Sequence, residues 1–144
     1  VMARVLAARG ATALVFRGED GLDELTTGAS SRVWVVRDGA VSETSVHPED
    51  VGLPVSGADA LRGGDAAHNA EVARRFLAGE PGPVRDAVLL NAGAALVSLS
   101  LDDRPLADQL RDGIATAAEA VDSGAAARAL DAWVSTSLAL ATAR

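Results

Sequence analysis

A chain of 144 residues with 49% apolar and 23% charged residues reads as one folded domain with its own core, not as a disordered segment. A formal charge of −7 and an isoelectric point near 4.7 argue against nucleic acid and anionic membranes as partners. All 13 basic residues are arginine and there is no cysteine. Lysine Schiff-base chemistry, a phosphate-loop lysine, disulfides and thiolate–zinc clusters are therefore excluded within this chain, and a cytoplasmic setting is expected.

The opening "VMARVLAARG" lies inside a helical pattern, with Val1, Val5 and Leu6 on one face and Gly10 as a left-handed stop. It shows neither a signal peptide nor a native initiator at position 1, so a fragment of a longer protein is expected. No apolar run is long enough to cross a membrane. Residues 12–16 read as a short strand covered on both faces, and helix followed by buried strand begins an α/β alternation. The acidic stretch "RGEDGLDELTTG", residues 17–28, comes straight after that strand. In open parallel sheets this is the edge at which ligands bind.

Residues 31–46 predict a hairpin. Val33 and Val35 alternate with Trp34 and Val36, Asp38-Gly39 supplies the turn, and the chain returns through Val41 to Val46. Beyond about residue 58 the pattern is helical. A short helix ends at "RGG", and Asp65 caps the next, whose stripe is Val72, Ala73, Phe76 and Leu77. Residues 83–101 are apolar almost all round, which predicts a near-fully buried helix over 84–99 with Asn91 in need of a partner. Leu106, Leu110, Ile114 and Val121 then mark a stripe that resumes, after Asp122-Ser123-Gly124, at Leu130, Val134 and Leu138.

Asp23 and Glu24 are the strongest chemical candidates. Magnesium takes one or two carboxylates, keeps several waters and borrows oxygens from a diphosphate, so adjacent acids in a glycine-containing loop could share one ion. Spacing alone leaves a second reading open, in which the acids line a solvated turn around Asp20-Gly21. "RGGD", 62–65, reads as a helix stop and cap, since no strand precedes it and Asp65 would repel phosphate. His47 and His68 lack metal-ligand spacing and read as surface residues, and "TTGASS", 26–31, as a connecting loop. Trp34 and Trp133 read as core because no basic patch interleaves them.

"GEDGLDELTT", "RVWVVRDG", "LRGGDAAHNAEVARRFLAGEPGPVRDAVLLNAGAAL" and "AVDSGAA" run in order along almost the whole chain. Together they resemble the anthranilate phosphoribosyltransferase family. The resemblance implies transfer of the phosphoribosyl group from phosphoribosyl diphosphate to anthranilate, with release of diphosphate, in tryptophan biosynthesis. It implies an α/β fold of the nucleoside phosphorylase/phosphoribosyltransferase-like kind, a mostly parallel central sheet with an antiparallel hairpin and surrounding helices. Asp23 and Glu24 match the family's Asp-Glu pair, whose cofactor is Mg2+ held against the diphosphate. Residues 1–144 then correspond to the C-terminal α/β domain portion. The N-terminal helical domain, through which the family forms homodimers, and the glycine-rich diphosphate loop have no counterpart, so the chain alone is expected to be inactive. Arg17 departs from the histidine common before the loop's glycine. The alternatives are a non-catalytic binding or interaction fragment, and a related nucleoside phosphorylase.

Overall fold

A computed structural model describes residues 1–142. Helix α1 (Met2–Ala8) ends ahead of Gly10, which takes a left-handed φ of +71°. Strands β1 (Ala13–Gly18), β2 (Ser31–Arg37) and β3 (Ala40–Val46) form one sheet in the order β1-β2-β3. Two residues join β2 to β3 as predicted. Asp38 (φ 52°) and Gly39 (φ 75°) both have positive φ, the requirement of a turn whose twist matches the flanking strands.

Alternation along β1 and β2 makes the layers. Ala13, Val15, Trp34 and Val36 face Ala3, Leu6 and Ala7 of α1. Leu14, Phe16, Val33 and Val35 face the opposite way, onto the main core with Leu25, Leu90, Ala94, Val97 and Leu110. Helices α3 (Pro83–Ser98) and α4 (Leu106–Asp122) supply that second layer. The result is helix, sheet, helix, an α/β domain with the expected strand covered on both faces. Every pairing among the described residues is antiparallel, β1 with β2 included. The reason is the connection: residues 19–30 contain no helix, whereas a parallel neighbour needs a crossover, usually helical.

Between sheet and helices run two single 3-10 turns, Pro48–Val51 and Ala58–Leu61, and helix α2 (Ala66–Leu77). Asp65 caps α2 as predicted, accepting the His68 N–H at 2.8 Å. The two core helices meet backbone to backbone where Gly93 faces Gly113. A Cβ built on Gly113 would lie 2.6 Å from the Gly93 carbonyl oxygen, so only glycine permits this approach. Helix α5 (Ala125–Thr142) rests against α4 and α2.

Three packing expectations need correction. On α1 the buried residues are Ala3 and Ala7, with Leu6 of the expected face half-buried beside them; Val1 and Val5 are exposed, because the sheet covers the face that carries Ala3 and Ala7. Helix α3 buries Leu89, Leu90, Gly93, Ala94 and Val97 but leaves Val88 and Leu96 exposed, so its burial is one-sided and not near-complete. Trp133 is 70% exposed, with Val134 and Leu138 beside it on α5, and is no core residue here. Trp34 is half-buried against α1, its Nε1–H donating to Glu43 at 2.9 Å.

A candidate metal site on the acidic loop

The loop between β1 and β2 is held by its own polar side chains. Asp20 accepts the Leu22 N–H at 3.3 Å through one oxygen and the Thr26 hydroxyl at 2.6 Å through the other. The Thr26 oxygen accepts the Gly28 N–H at 2.9 Å, and the Ser31 hydroxyl oxygen accepts the Thr26 N–H at 3.0 Å. Gly18 makes room for this inward turn, since a Cβ there would collide with the Asp20 carboxylate. The hydroxyls of Thr26 and Ser31 are thus spent inside the loop, as a structural reading of "TTGASS" requires. Thr27 is fully buried and its hydroxyl finds no partner among the described residues.

A second anchor comes from 66 residues away. Asn91, in the middle of α3, accepts the Leu25 N–H at 3.0 Å and donates to the Leu25 carbonyl at 2.9 Å and to the Ala87 carbonyl at 3.0 Å. The asparagine that needed a partner therefore clamps the backbone next to Glu24. Sequence reasoning flagged the need but missed the role, because no local pattern links residue 91 to residue 25.

These anchors divide the four carboxylates into pairs. Glu19 lies 3.3 Å from Arg32 in an exposed ion pair, and Asp20 is committed to the turn. Asp23 and Glu24 are exposed, with no hydrogen bond or ion pair to their carboxylates among the described residues. Leu25, Thr26 and Thr27, immediately after them, are all buried. Two uncommitted acids therefore stand side by side on a fixed base. No group of three or more His, Cys, Asp or Glu side chains gathers among the described residues. Two carboxylates fit magnesium, which fills its remaining positions with water and substrate oxygens, and do not fit a closed structural metal cage.

Glu24 also borders a cavity of about 790 Å³ whose walls include Phe76, Val88, Arg62, Arg85 and Asn91. Its arginines are already paired: Arg62 with Asp59 at 2.7 Å, Arg85 with Asp122 at 2.9 Å, and Arg75 with Glu80 at 3.7 Å. His68 lines the same cavity, whereas His47 lies beside Glu49 at 3.5 Å, so the two histidines do not converge. Gly64 is no anion cradle, because Asn69 takes both its N–H (2.9 Å) and its carbonyl (3.0 Å). Arg17 is exposed on β1.

Residues 1–127 match the family model described as "Glycosyl transferase family, a/b domain". The chain belongs to that family. This glycosyl transferase α/β domain is 64% identical over 137 residues to an anthranilate phosphoribosyltransferase of Streptomyces avermitilis, covering 95% of this chain and 39% of the relative. The corresponding Thermobifida fusca protein is 57% identical, with 98% of this chain and 40% of the relative covered. The chain thus spans about two fifths of the curated relatives it matches. Among solved structures, the anthranilate phosphoribosyltransferase of Thermus thermophilus superimposes with a TM-score of 0.79 at 39% identity, covering 93% of this chain and 38% of that one. The Saccharomyces cerevisiae enzyme, solved in complex with PRPP and Mg, shares the fold with a TM-score of 0.72 at 22% identity, over 83% of this chain and 33% of that one. Among the described residues no helix is long and apolar enough to cross a membrane.

Proposed function

We propose that this domain is the C-terminal α/β portion of an anthranilate phosphoribosyltransferase, and that Asp23 and Glu24 are its magnesium ligands. The longer protein would transfer the phosphoribosyl group of phosphoribosyl diphosphate to the amine of anthranilate and release diphosphate, as a cytoplasmic homodimer. The observation that carries the reading is the division of the acidic loop: Glu19 and Asp20 are engaged, while Asp23 and Glu24 stand exposed and uncommitted on a clamped backbone. The high identity to relatives bearing that enzyme's name supports the substrate class.

Loss of diphosphate develops negative charge on the leaving group, and magnesium, when bound, supplies positive charge against it without proton transfer. The chain's own residues do the positioning. Asp23 and Glu24 would present two carboxylate edges at the end of β1. Asn91 and Asp20 hold the backbone on either side of them, so no loop ordering has to be repaid at the moment of reaction. Sheet and helix layers beneath Leu25 keep that base rigid.

The test uses this chain joined to the remaining portion of the Streptomyces avermitilis relative. The joined polypeptide should turn over, and the 144 residues alone should not. Asp23→Asn and Glu24→Gln should each lower magnesium-dependent turnover by roughly 30- to 1,000-fold, about 2–4 kcal/mol of transition-state stabilisation. Added magnesium should restore part of it. Glu19→Gln should leave turnover nearly unchanged. Asp20→Asn should lower the melting temperature, since it disturbs the Thr26 hydroxyl contact, without changing the magnesium requirement. Equal behaviour of all four variants, or plain unfolding of the Asp23 and Glu24 variants, would make the cluster a structural turn.

A further inference from the structure

The segment between the hairpin and α3 has no polar attachment to the rest of the protein. Before it, the Ser56 N–H donates to the Thr27 carbonyl at 2.8 Å; after it, α3 opens with the Asp86 N–H on the Gly82 carbonyl at 3.0 Å. Among the described residues, no hydrogen bond or ion pair joins residues 57–81 to any residue outside them. None of residues 59–81 is buried, whereas α1, α3 and α4 each bury two or more. The tie is apolar: Phe76 is half-buried against Leu89, Ala117 and Val121. Such contact is non-directional, so it can release and re-form without stranding a buried polar group.

Within itself the segment is well connected. The Gly64 N–H donates to the Asn69 side chain at 2.9 Å, and that side chain donates back to the Gly64 carbonyl at 3.0 Å. Arg62 pairs with Asp59, Asp65 caps α2, and Arg75 lies 3.7 Å from Glu80. Turn, loop and helix therefore form one unit. It ends at Gly79 and Gly82, whose φ values of +89° and +132° favour glycine. Nothing lies within 4 Å of where a Cβ on Gly82 would stand, so the backbone there has room to rotate. Hinges are such positions at the ends of elements.

This unit supplies one wall of the cavity of about 790 Å³, through Leu61, Arg62, Val72 and Phe76, while Glu24 and Asn91 belong to the opposite, clamped side. We infer that residues 57–81 are a lid, hinged at Gly79 and Gly82, that closes over this cavity onto a phosphorylated ligand held through magnesium at Glu24. The inference rests on the proposed magnesium role of Glu24. A ligand shifts such an equilibrium only by touching the closed form better than the open one. A diphosphate extending from Glu24 into the cavity meets Arg62 on the lid. The Arg62–Asp59 pair is exposed, with 78% and 89% of the two side chains accessible, and exposed pairs contribute little. Arg62 can therefore exchange Asp59 for a phosphate, which takes a guanidinium in two parallel hydrogen bonds.

Residue-resolved amide exchange on the joined polypeptide described above tests this. A helix of 12 residues is marginal in water on its own, so each opening of the lid exposes the α2 amides. Without ligand, residues 70–77 should exchange together, on the order of 100-fold faster than residues 90–97 of α3. Magnesium with inorganic diphosphate should slow residues 70–77 by about tenfold or more and leave residues 90–97 unchanged. Arg62→Gln should remove that response and keep the ligand-free rates. Ligand-free exchange of α2 as slow as that of α3 means that the segment is pinned, and overturns the lid. Calorimetric binding of magnesium diphosphate without slowing of α2, or an undiminished response in Arg62→Gln, overturns it as well. Absence of calorimetric binding counts against the magnesium role of Glu24, and the ligand-free rates then decide the lid alone.

Discussion

Replacing Asn91 by leucine should detach the acidic loop from its helical support at nearly constant side-chain volume. The change removes three hydrogen bonds, two of them to Leu25, whose side chain is 2% exposed. With the amide gone, the N–H and carbonyl of Leu25 lose their partners in a place water reaches poorly. A buried polar group left unsatisfied costs about 1–3 kcal/mol, so two of them set an upper range of roughly 2–6. The Ala87 carbonyl adds little, because it lies within the same helix one turn back. A leucine at a half-buried position recovers part of the loss through its apolar area, about 1 kcal/mol. A net cost of roughly 1–5 kcal/mol remains, a large share of the 5–15 kcal/mol that holds an ordinary domain together. For a chain of this length that corresponds to a fall in melting temperature of about 2–20 °C. Thermal melts of parent and variant give the first reading, and limited proteolysis across residues 19–30 the second, since the freed loop should be cut before global unfolding. A melting temperature within about 1 °C of the parent, with the loop still resistant, would show that the clamp contributes nothing and that the loop is positioned by Asp20, Thr26 and Ser31 alone.

Two further substitutions probe the helical layer. Gly113→Ala places a methyl group against the Gly93 carbonyl, where backbone and not a flexible side chain must give way; the overpacking cost of about 1–3 kcal/mol should outweigh the helix-propensity gain of about 1 kcal/mol, and urea melts should show net destabilisation. Asp86, in the first turn of α3, has its carboxyl raised above the ordinary value, mainly by burial and against the lowering pull of Arg85. A raised carboxyl binds its proton more tightly in the folded than in the unfolded chain, so its contribution to stability is fully present below the unfolded pKa of about 3.9 and is lost as pH rises through the folded value. Asp86→Asn should therefore be more stable than the parent at pH 7, with the difference shrinking as pH falls towards 4; an equal or lower stability at pH 7 would mean that the Arg85 interaction outweighs burial.

What was legible in the sequence was what neighbouring residues encode. The hairpin needed only alternation and Asp38-Gly39, and the cap of α2 needed only Asp65 three residues before His68. Burial was less legible, because a pattern reports which face prefers to be covered and not what covers it. Helix α3 is apolar all round, yet its Val88 and Leu96 face solvent in a chain that represents two fifths of its relatives' length. On α1 the rule of large apolar residues inside pointed at Val1, Val5 and Leu6, while the sheet covers Ala3 and Ala7 and, of those three, only Leu6 in part.

The acidic loop shows the same limit at the scale of single side chains. Four carboxylates within six positions are equivalent by composition, and spacing alone favours a solvated turn over a metal site. What distinguishes the four acids from one another is the set of donors the fold brings within reach. Thr26 turns its hydroxyl onto Asp20, Arg32 arrives beside Glu19 from the next strand, and Asn91 reaches from α3 to the backbone and not to an acid. Donors are thereby used up on the first pair and on the main chain, leaving Asp23 and Glu24 exposed and without a partner among the described residues. An uncommitted carboxylate can meet a divalent cation without breaking a protein contact, whereas one held by hydroxyl or guanidinium must first give up that partner. A loop that engages Glu19 and Asp20 and leaves two adjacent acids without a protein partner among the described residues has carboxylates to offer a cation. The anchoring of residues 20, 25 and 26 supports the proposed magnesium role of Asp23 and Glu24.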